Sequence, residues 1–403
     1  MSVRLKDVVA TNRKALPETT DPDFSFRYID ISAVSQGRID VPDEDLRFET
    51  APSRARRLAE PGDTVVSTVR TYLRAVARVP KTPDPLVFST GFAVLHPIAD
   101  RIDSRYLSYY CTSAPFIDSI IARSVGVSYP AINASEVADV RLGLPPLDEQ
   151  RRIADFLDTE TARLDRLLDL RRRQEDGLAA QHDAAVTAAI EEASYDHEVV
   201  RLKHTGARIT VGIVVTPAAW YVDDVGVPAL RGVDVNPGTI KTDNLIQISE
   251  EGHRAHPKSR LRAGDVVVVR TGKAGAACAV PDALVGANAI DLLIIRPGSR
   301  LLPHYIEHII NSEQTRRFVD EFSVGTIQSH FNVGTLGELP VPMLRLRQQE
   351  LVTKELDDLV THQAALVGTI GVQRERLLER RQALITAAVT GQLDVTTARP
   401  TDP

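Results

Sequence analysis

The chain has 403 residues, 43% of them hydrophobic and 25% charged, with a formal net charge of -6. That composition fits a globular chain of two or three domains; no run of 18 apolar residues could cross a bilayer, and "MSVRLKDVVATNRK" lacks the apolar centre of a signal peptide. Two cysteines, Cys111 and Cys278, exclude a disulfide scaffold and a cysteine-rich zinc site, so a cytoplasmic location is expected. The mild net acidity argues weakly against nucleic acid, because binding follows where the cations lie rather than their sum.

In chain order, "GDTVVSTV" reads as a β-branched strand led by a Gly-Asp turn, and "FAVLHPI" as another strand stopped by proline. "SRYLSYYCTSAPFIDSIIA" reads as a helix. A proline-bent exit, "LPPLDEQ", then leads into a helix predicted from Asp148, which can cap it, to about Ile190, with Gly177 its one glycine and no proline. Apolar residues there fall mostly at spacings of 3, 4 and 7, at Ile153, Phe156, Leu157, Leu164, Leu167, Leu168, Leu178, Val186 and Ile190. A helix of about 40 residues is about 60 Å long, and such a stripe needs a partner.

The chain then repeats this order. "VRLK" at Val3 returns at Val200, "PGDTVVSTVR" at Pro61 as "AGDVVVVRTG" at Ala263, "SVGVSYPAIN" at Ser124 as "SVGTIQSHFN" at Ser323, and "AVTAAI" at Ala185 as "LITAAV" at Leu384. From Ser124 onward the offset is a constant 199 residues. Agreement of several segments in one order indicates duplication. In the second copy "IDLLIIRP" reads as a strand and "PHYIEHIINSEQTRRFVDEF" as a helix with Pro303 near its start. Its long helix carries Leu356, Leu359, Leu366, Ile370, Leu377 and Leu384 at heptad-like positions, interrupted by Gln363, Gln373 and Arg380. The expected fold class is α+β: two tandem mixed α/β domains, each followed by a long helix, the two helices pairing as an antiparallel coiled coil with pseudo-twofold symmetry. The expected boundaries are 1–145 and 196–341 for the domains, 146–195 and 342–395 for the helices, and 396–403 for a disordered tail.

"LPPLDEQRRIADFLDTETARLD" at 144–165, "LRAGDVVVVRTGKAG" at 261–275 and "SVGTIQSHFNVGTLGELPVP" at 323–342, with the repeat itself, resemble the specificity subunit of type I restriction–modification enzymes, over nearly the whole chain. The resemblance implies a non-catalytic subunit with two target-recognition domains, each reading one half of an asymmetric double-stranded DNA site, and a helix pair that sets the gap between them. It implies two adenine-N6 methyltransferase subunits carrying S-adenosylmethionine as partners, and up to two motor-nuclease subunits carrying ATP and magnesium. The alternative is a coiled-coil adaptor that does not bind DNA, or a degenerate specificity subunit in another defence complex.

No catalytic residues and no metal ligands are expected in this chain. The nearest string to a methyltransferase [DNS]-P-P-[YF] turn is "DPDF" at Asp21, and "RTGKAG" lacks the upstream glycine of a phosphate loop. "HYIEH", His304–His308, matches the inverted zinc-protease motif, but its repeat counterpart is "RYLSY", which has no ligands. Base edges and phosphates are read by Arg, Lys, Asn, Gln, Ser, Thr or His. The candidate DNA-contacting residues lie in loops after the strands: Arg70, Thr71, Tyr72, Arg74, Ser128 and Tyr129 in the first domain, and Arg270, Thr271, Lys273, Gln328, Ser329 and His330 in the second. The arginines of the first long helix, interleaved with acids, read first as helical salt bridges. The lone Trp220 is expected in a core or on a domain surface.

Overall fold

A computed structural model describes residues 2–223, 225–271, 274–323 and 331–395; the expected disordered tail, 396–403, lies outside the described residues. The chain divides into unit 1, Met1–Arg171 with Gly371–Pro403, and unit 2, Arg172–Ile370. Each boundary falls inside a long helix, so each unit is one mixed α/β domain plus a piece of both helices.

In unit 1 the elements that position the site are β1 (Ser2–Arg4), β2 (Val9–Thr11), β3 (Thr64–Ser67), β4 (Val76–Arg78), β5 (Phe92–Pro97), α1 (Ser104–Thr112), α2 (Ala114–Arg123) and β6 (Arg141–Gly143), followed by α3 (Leu147–Asp196). The main sheet has the order β2-β5-β3-β4 and is antiparallel throughout. All four residues of β3, Thr-Val-Val-Ser, are buried. Such β-branched runs suit a strand covered on both faces. A smaller sheet places Ser25–Ile29 parallel to Leu86–Ser89.

Unit 2 repeats the plan with β7 (Val199–Arg201), β8 (Arg208–Val211), β9 (Val266–Val269), β10 (Ala277–Ala279), β11 (Leu292–Arg296), α4 (Pro303–Asn311), α5 (Glu313–Ser323), β12 (Pro340–Pro342) and α6 (Leu346–Val389). Its main sheet has the corresponding order β8-β11-β9-β10, and its smaller sheet the corresponding parallel pair, Ala229–Leu230 beside Asn288–Ala289.

The Gly-Asp turn before β3 and β9 is built the same way twice. Gly62 (φ 96°) and Gly264 (φ 79°) take the left-handed backbone that lets the chain reverse. Behind each, a buried aspartate accepts a backbone N–H, Asp63 from Glu60 at 2.8 Å and Asp265 from Arg262 at 2.9 Å. The second carboxylate oxygen meets the last strand, at His96 Nδ1 (2.7 Å) in unit 1 and at Arg296 Nε (3.4 Å) in unit 2. Burial pushes both carboxyls above their ordinary range, with those partners offsetting part of the effect.

Two sequence expectations change. Each predicted domain helix is two helices, broken at Ser113 and at Ser312, which are extended (ψ 151° and 155°). Each serine hydroxyl donates to the carbonyl three residues back, Tyr110 at 2.6 Å and Ile309 at 2.7 Å, replacing the helical bond there. In the first case Pro115 stands in the first turn of α2, where proline is tolerated. Asp148 does not cap the first long helix, because α3 begins one residue earlier, at Leu147; the carboxylate lies in the first turn, where it favours the helix dipole.

The exits now have a physical account. Gln150, fully buried, accepts the Asp103 N–H at 2.9 Å and donates to the carbonyls of Arg101 and Pro145. Gln349 does the same with Leu302, Arg300 and Leu344. The hydroxyl of Tyr106 donates to the carbonyl of Gly143, and that of Tyr305 to Pro342. Every pair differs by the 199-residue offset, so one glutamine per copy fastens the long helix to the domain that precedes it.

In unit 1 the helices run antiparallel: Asp165 accepts from Arg381 Nε at 3.1 Å, while Ile153 and Leu157 share a core with Ile385, Ala388 and Val389. In unit 2, Val186 and Leu356 join the domain core. The interleaved acids do more than bridge within their helix. Asp155 and Asp158 bind Arg105 of α1 at 2.6 and 2.8 Å. Trp220 is partly buried in the smaller sheet's core, its ring against Gly252, where a Cβ would come within 2.9 Å.

Candidate nucleic-acid interface

In unit 1 the sequence-predicted residues come together at the end of β3. The chain leaves the strand through Arg70 (φ 50°), makes one turn over Thr71–Leu73, and exits through Arg74 (φ 54°). Two left-handed non-glycine residues bracket this turn, an arrangement that persists only when neighbours impose it. Here the Arg70 N–H donates to the Pro130 carbonyl at 2.7 Å, and the Val125–Ala131 bridge folds the 125–130 loop against it. The Arg70 guanidinium lies over the Tyr129 ring, 4.8 Å from its centroid. A planar cation on an aromatic face keeps its edge N–H groups free to point outward.

Arg70, Tyr72, Arg74, Ser128 and Tyr129 are exposed on these two loops. Thr71 differs: it is buried, and its hydroxyl is 2.7 Å from that of Ser124, so it holds the turn rather than presenting itself to a ligand. The loops border a concavity of about 540 Å³ that also takes in Tyr28, Asp30, Ser32 and Arg54. Those four were not foreseen, because they stand on other strands and loops and carry no motif.

In unit 2, Arg270 follows β9 directly. Its Nη1 donates to Asp291 at 2.7 Å, and Thr271, exposed beside it, lies 3.5 Å from the same carboxylate. The Phe331 N–H donates to the Arg270 carbonyl, as Ile132 does to Thr68 in unit 1. Lys273, Gln328, Ser329 and His330 lie outside the described residues. Asp291 was missed by the sequence reading, since an acid is not an obvious partner for DNA.

The zinc-like string is used otherwise. His308 is buried with Nε2 2.9 Å from Asp357, in the place where Tyr109 donates to Asp158 in unit 1 at 2.8 Å. Glu307, also buried, accepts the Ala279 N–H at 2.8 Å and pairs with His304, whose pKa it raises. No group of three His, Cys, Asp or Glu among the described residues is placed to hold a metal ion.

Residues 1–175 match the family model of the type I restriction modification DNA specificity domain. The chain is 22% identical over 336 residues to the type I restriction enzyme EcoBI specificity subunit of Escherichia coli, covering 77% of this chain and 70% of that protein. It is 19% identical over 315 residues to the MjaVIII specificity subunit of Methanocaldococcus jannaschii, covering 73% and 71%. Among solved structures, one described under complex assembly and conformational transition of the type I R-M system superposes with a TM-score of 0.70 over 98% of both chains at 24% identity, a likeness of fold.

Proposed function

We propose, from the premise that this chain belongs to the specificity-subunit family of type I restriction–modification enzymes, that residues 1–145 and 196–341 are two target-recognition domains, each reading one half of a split DNA site. The observation that carries this is one fold used twice with different residues at the reading edge. The Gly-Asp turns, sheets and glutamine fastenings coincide, whereas beyond the central strand unit 1 sets Arg70 on Tyr129 and unit 2 sets Arg270, at the position of Thr68, against Asp291. Different edges on one scaffold read different base pairs, so the target is asymmetric.

The helical segments 146–195 and 342–395 set the spacing between half-sites, normally near one turn of DNA, about 34 Å. Methyltransferase subunits supply the chemistry, methylating adenine N6 within the site, and motor-nuclease subunits join them for cleavage. This chain chooses the sequence and performs no reaction itself, and it works in the cytoplasm beside the DNA.

The test is long-read mapping of N6-methyladenine in source cells with the gene intact and deleted. Loss of a single asymmetric, split motif on deletion supports the reading; an unchanged methylome defeats it. Inserting about four residues, roughly one helical turn, into both long helices changes the spacer and leaves both half-sites intact. An unaltered spacer refutes the ruler role alone.

A further inference from the structure

In unit 2 the backbone brings one acid to the tip of one arginine. Val269, the last residue of β9, pairs with Leu292, so Asp291 stands across from Arg270 as both leave the sheet. Asp291 has φ 49°, a left-handed conformation that aspartate tolerates better than most residues. It is fixed there by its own N–H to the Ile213 carbonyl at 3.0 Å and by the Ile290 N–H to Leu230 at 2.7 Å. The Arg270 side chain is 23% exposed, and its Nε is fully covered with no hydrogen-bond partner among the described residues. The guanidinium is therefore held at its stem by packing and at Nη1 by the carboxylate.

The duplicated unit shows that the fold does not require this pair. The position before Phe92, which pairs with Ser67, is Gly91, and Arg270's place is taken by Thr68, whose hydroxyl donates to the Gly91 carbonyl at 2.9 Å. A Cβ at Gly91 would come within 3.0 Å of Ile31 and 3.2 Å of Val69. The pair belongs to unit 2 alone, at the edge where the halves diverge. An acid is a poor neighbour for an arginine that grips phosphates, since it repels the same anion. It is a good neighbour for an arginine that reads guanine O6 and N7, because it removes rotamer freedom before binding and leaves the outward N–H groups available.

Resting on the recognition reading above, we propose that Asp291 is a positioning residue that aims Arg270 at a guanine in the half-site read by unit 2. The experiment maps the methylated motif in source cells carrying the unaltered gene, Arg270→Ala or Asp291→Asn, with chain abundance measured in each. The expected result is that both variants relax the same G·C position of one half-site, discrimination there falling roughly ten-fold, while the other half-site is unchanged. If Asp291→Asn lowers the amount of folded chain, Asp291→Ser is read in its place by the same criteria. A motif identical to the unaltered one in the Asp291 variant, or an even loss at all sites, overturns the proposal. Absence of any gene-dependent motif in the unaltered cells overturns the recognition reading itself, a distinguishable failure.

Discussion

Gln150 and Gln349 each satisfy three backbone groups that packing has removed from water, so each is worth more than a single hydrogen bond. Replacing either with alanine orphans those groups and is expected to destabilise its own unit by about 1–3 kcal/mol in urea unfolding. A loss below a few tenths would mean that water replaces the side chain without penalty. His304 makes a pH-dependent contribution. Its hydrogen bond and charge attraction to Glu307 raise its pKa above the ordinary 6.5, against partial burial. The folded state therefore holds the proton more tightly than the unfolded chain. The stabilisation is complete below about 6.5 and is lost as pH rises through the folded value. An NMR titration of His304 should show a midpoint above 6.5 that falls in Glu307→Gln.

At the scale of elements, the strands depend on turns that only glycine makes without strain. A Cβ at Gly62 meets nothing nearer than Ser104 at 3.8 Å, so the cost of Gly62→Ala is the left-handed backbone itself, about 1–2 kcal/mol by thermal unfolding. The long helices depend on the domains. Leu157 of α3 and Ile385 of α6 are fully buried in the same core as Tyr106 and Phe116. Truncating either to alanine is expected to cost about 2–5 kcal/mol, a range set by how far the site collapses. Outside such contacts the stripe is partly open: Leu167 and Leu366 are 37% and 39% exposed.

For the whole molecule, the units do not follow the chain. Gly371–Pro403 belongs with Met1–Arg171. Ending the chain after Ile370 should therefore loosen the amino-terminal domain, far away in sequence, and spare unit 2. Each unit supplies its own reporter, a free cysteine buried in its core: Cys111 in unit 1, and Cys278 in unit 2, whose thiol burial pushes up to about 12. Both resist alkylation while folded. In the truncated chain Cys111 should be alkylated many-fold faster while Cys278 keeps its protection. Equal protection of both would show that the α6 segment adds nothing to unit 1.

The sequence by itself determined the duplication, the strands after the Gly-Asp turns, the two exits and the long helices, because these rest on local periodicity, glycine conformations and a constant offset. It also named Arg70, Tyr129 and Arg270 as candidates, because they are residue types that can contact DNA and lie in loops after the strands. Tertiary structure alone decided that Thr71 is an internal brace, that Asp291 faces Arg270, that His308 repeats the role of Tyr109, and that the last helix completes the first domain. Each of these joins residues distant in sequence, and no local pattern encodes which carbonyl, ring or carboxylate a side chain meets once two strands have chosen their register.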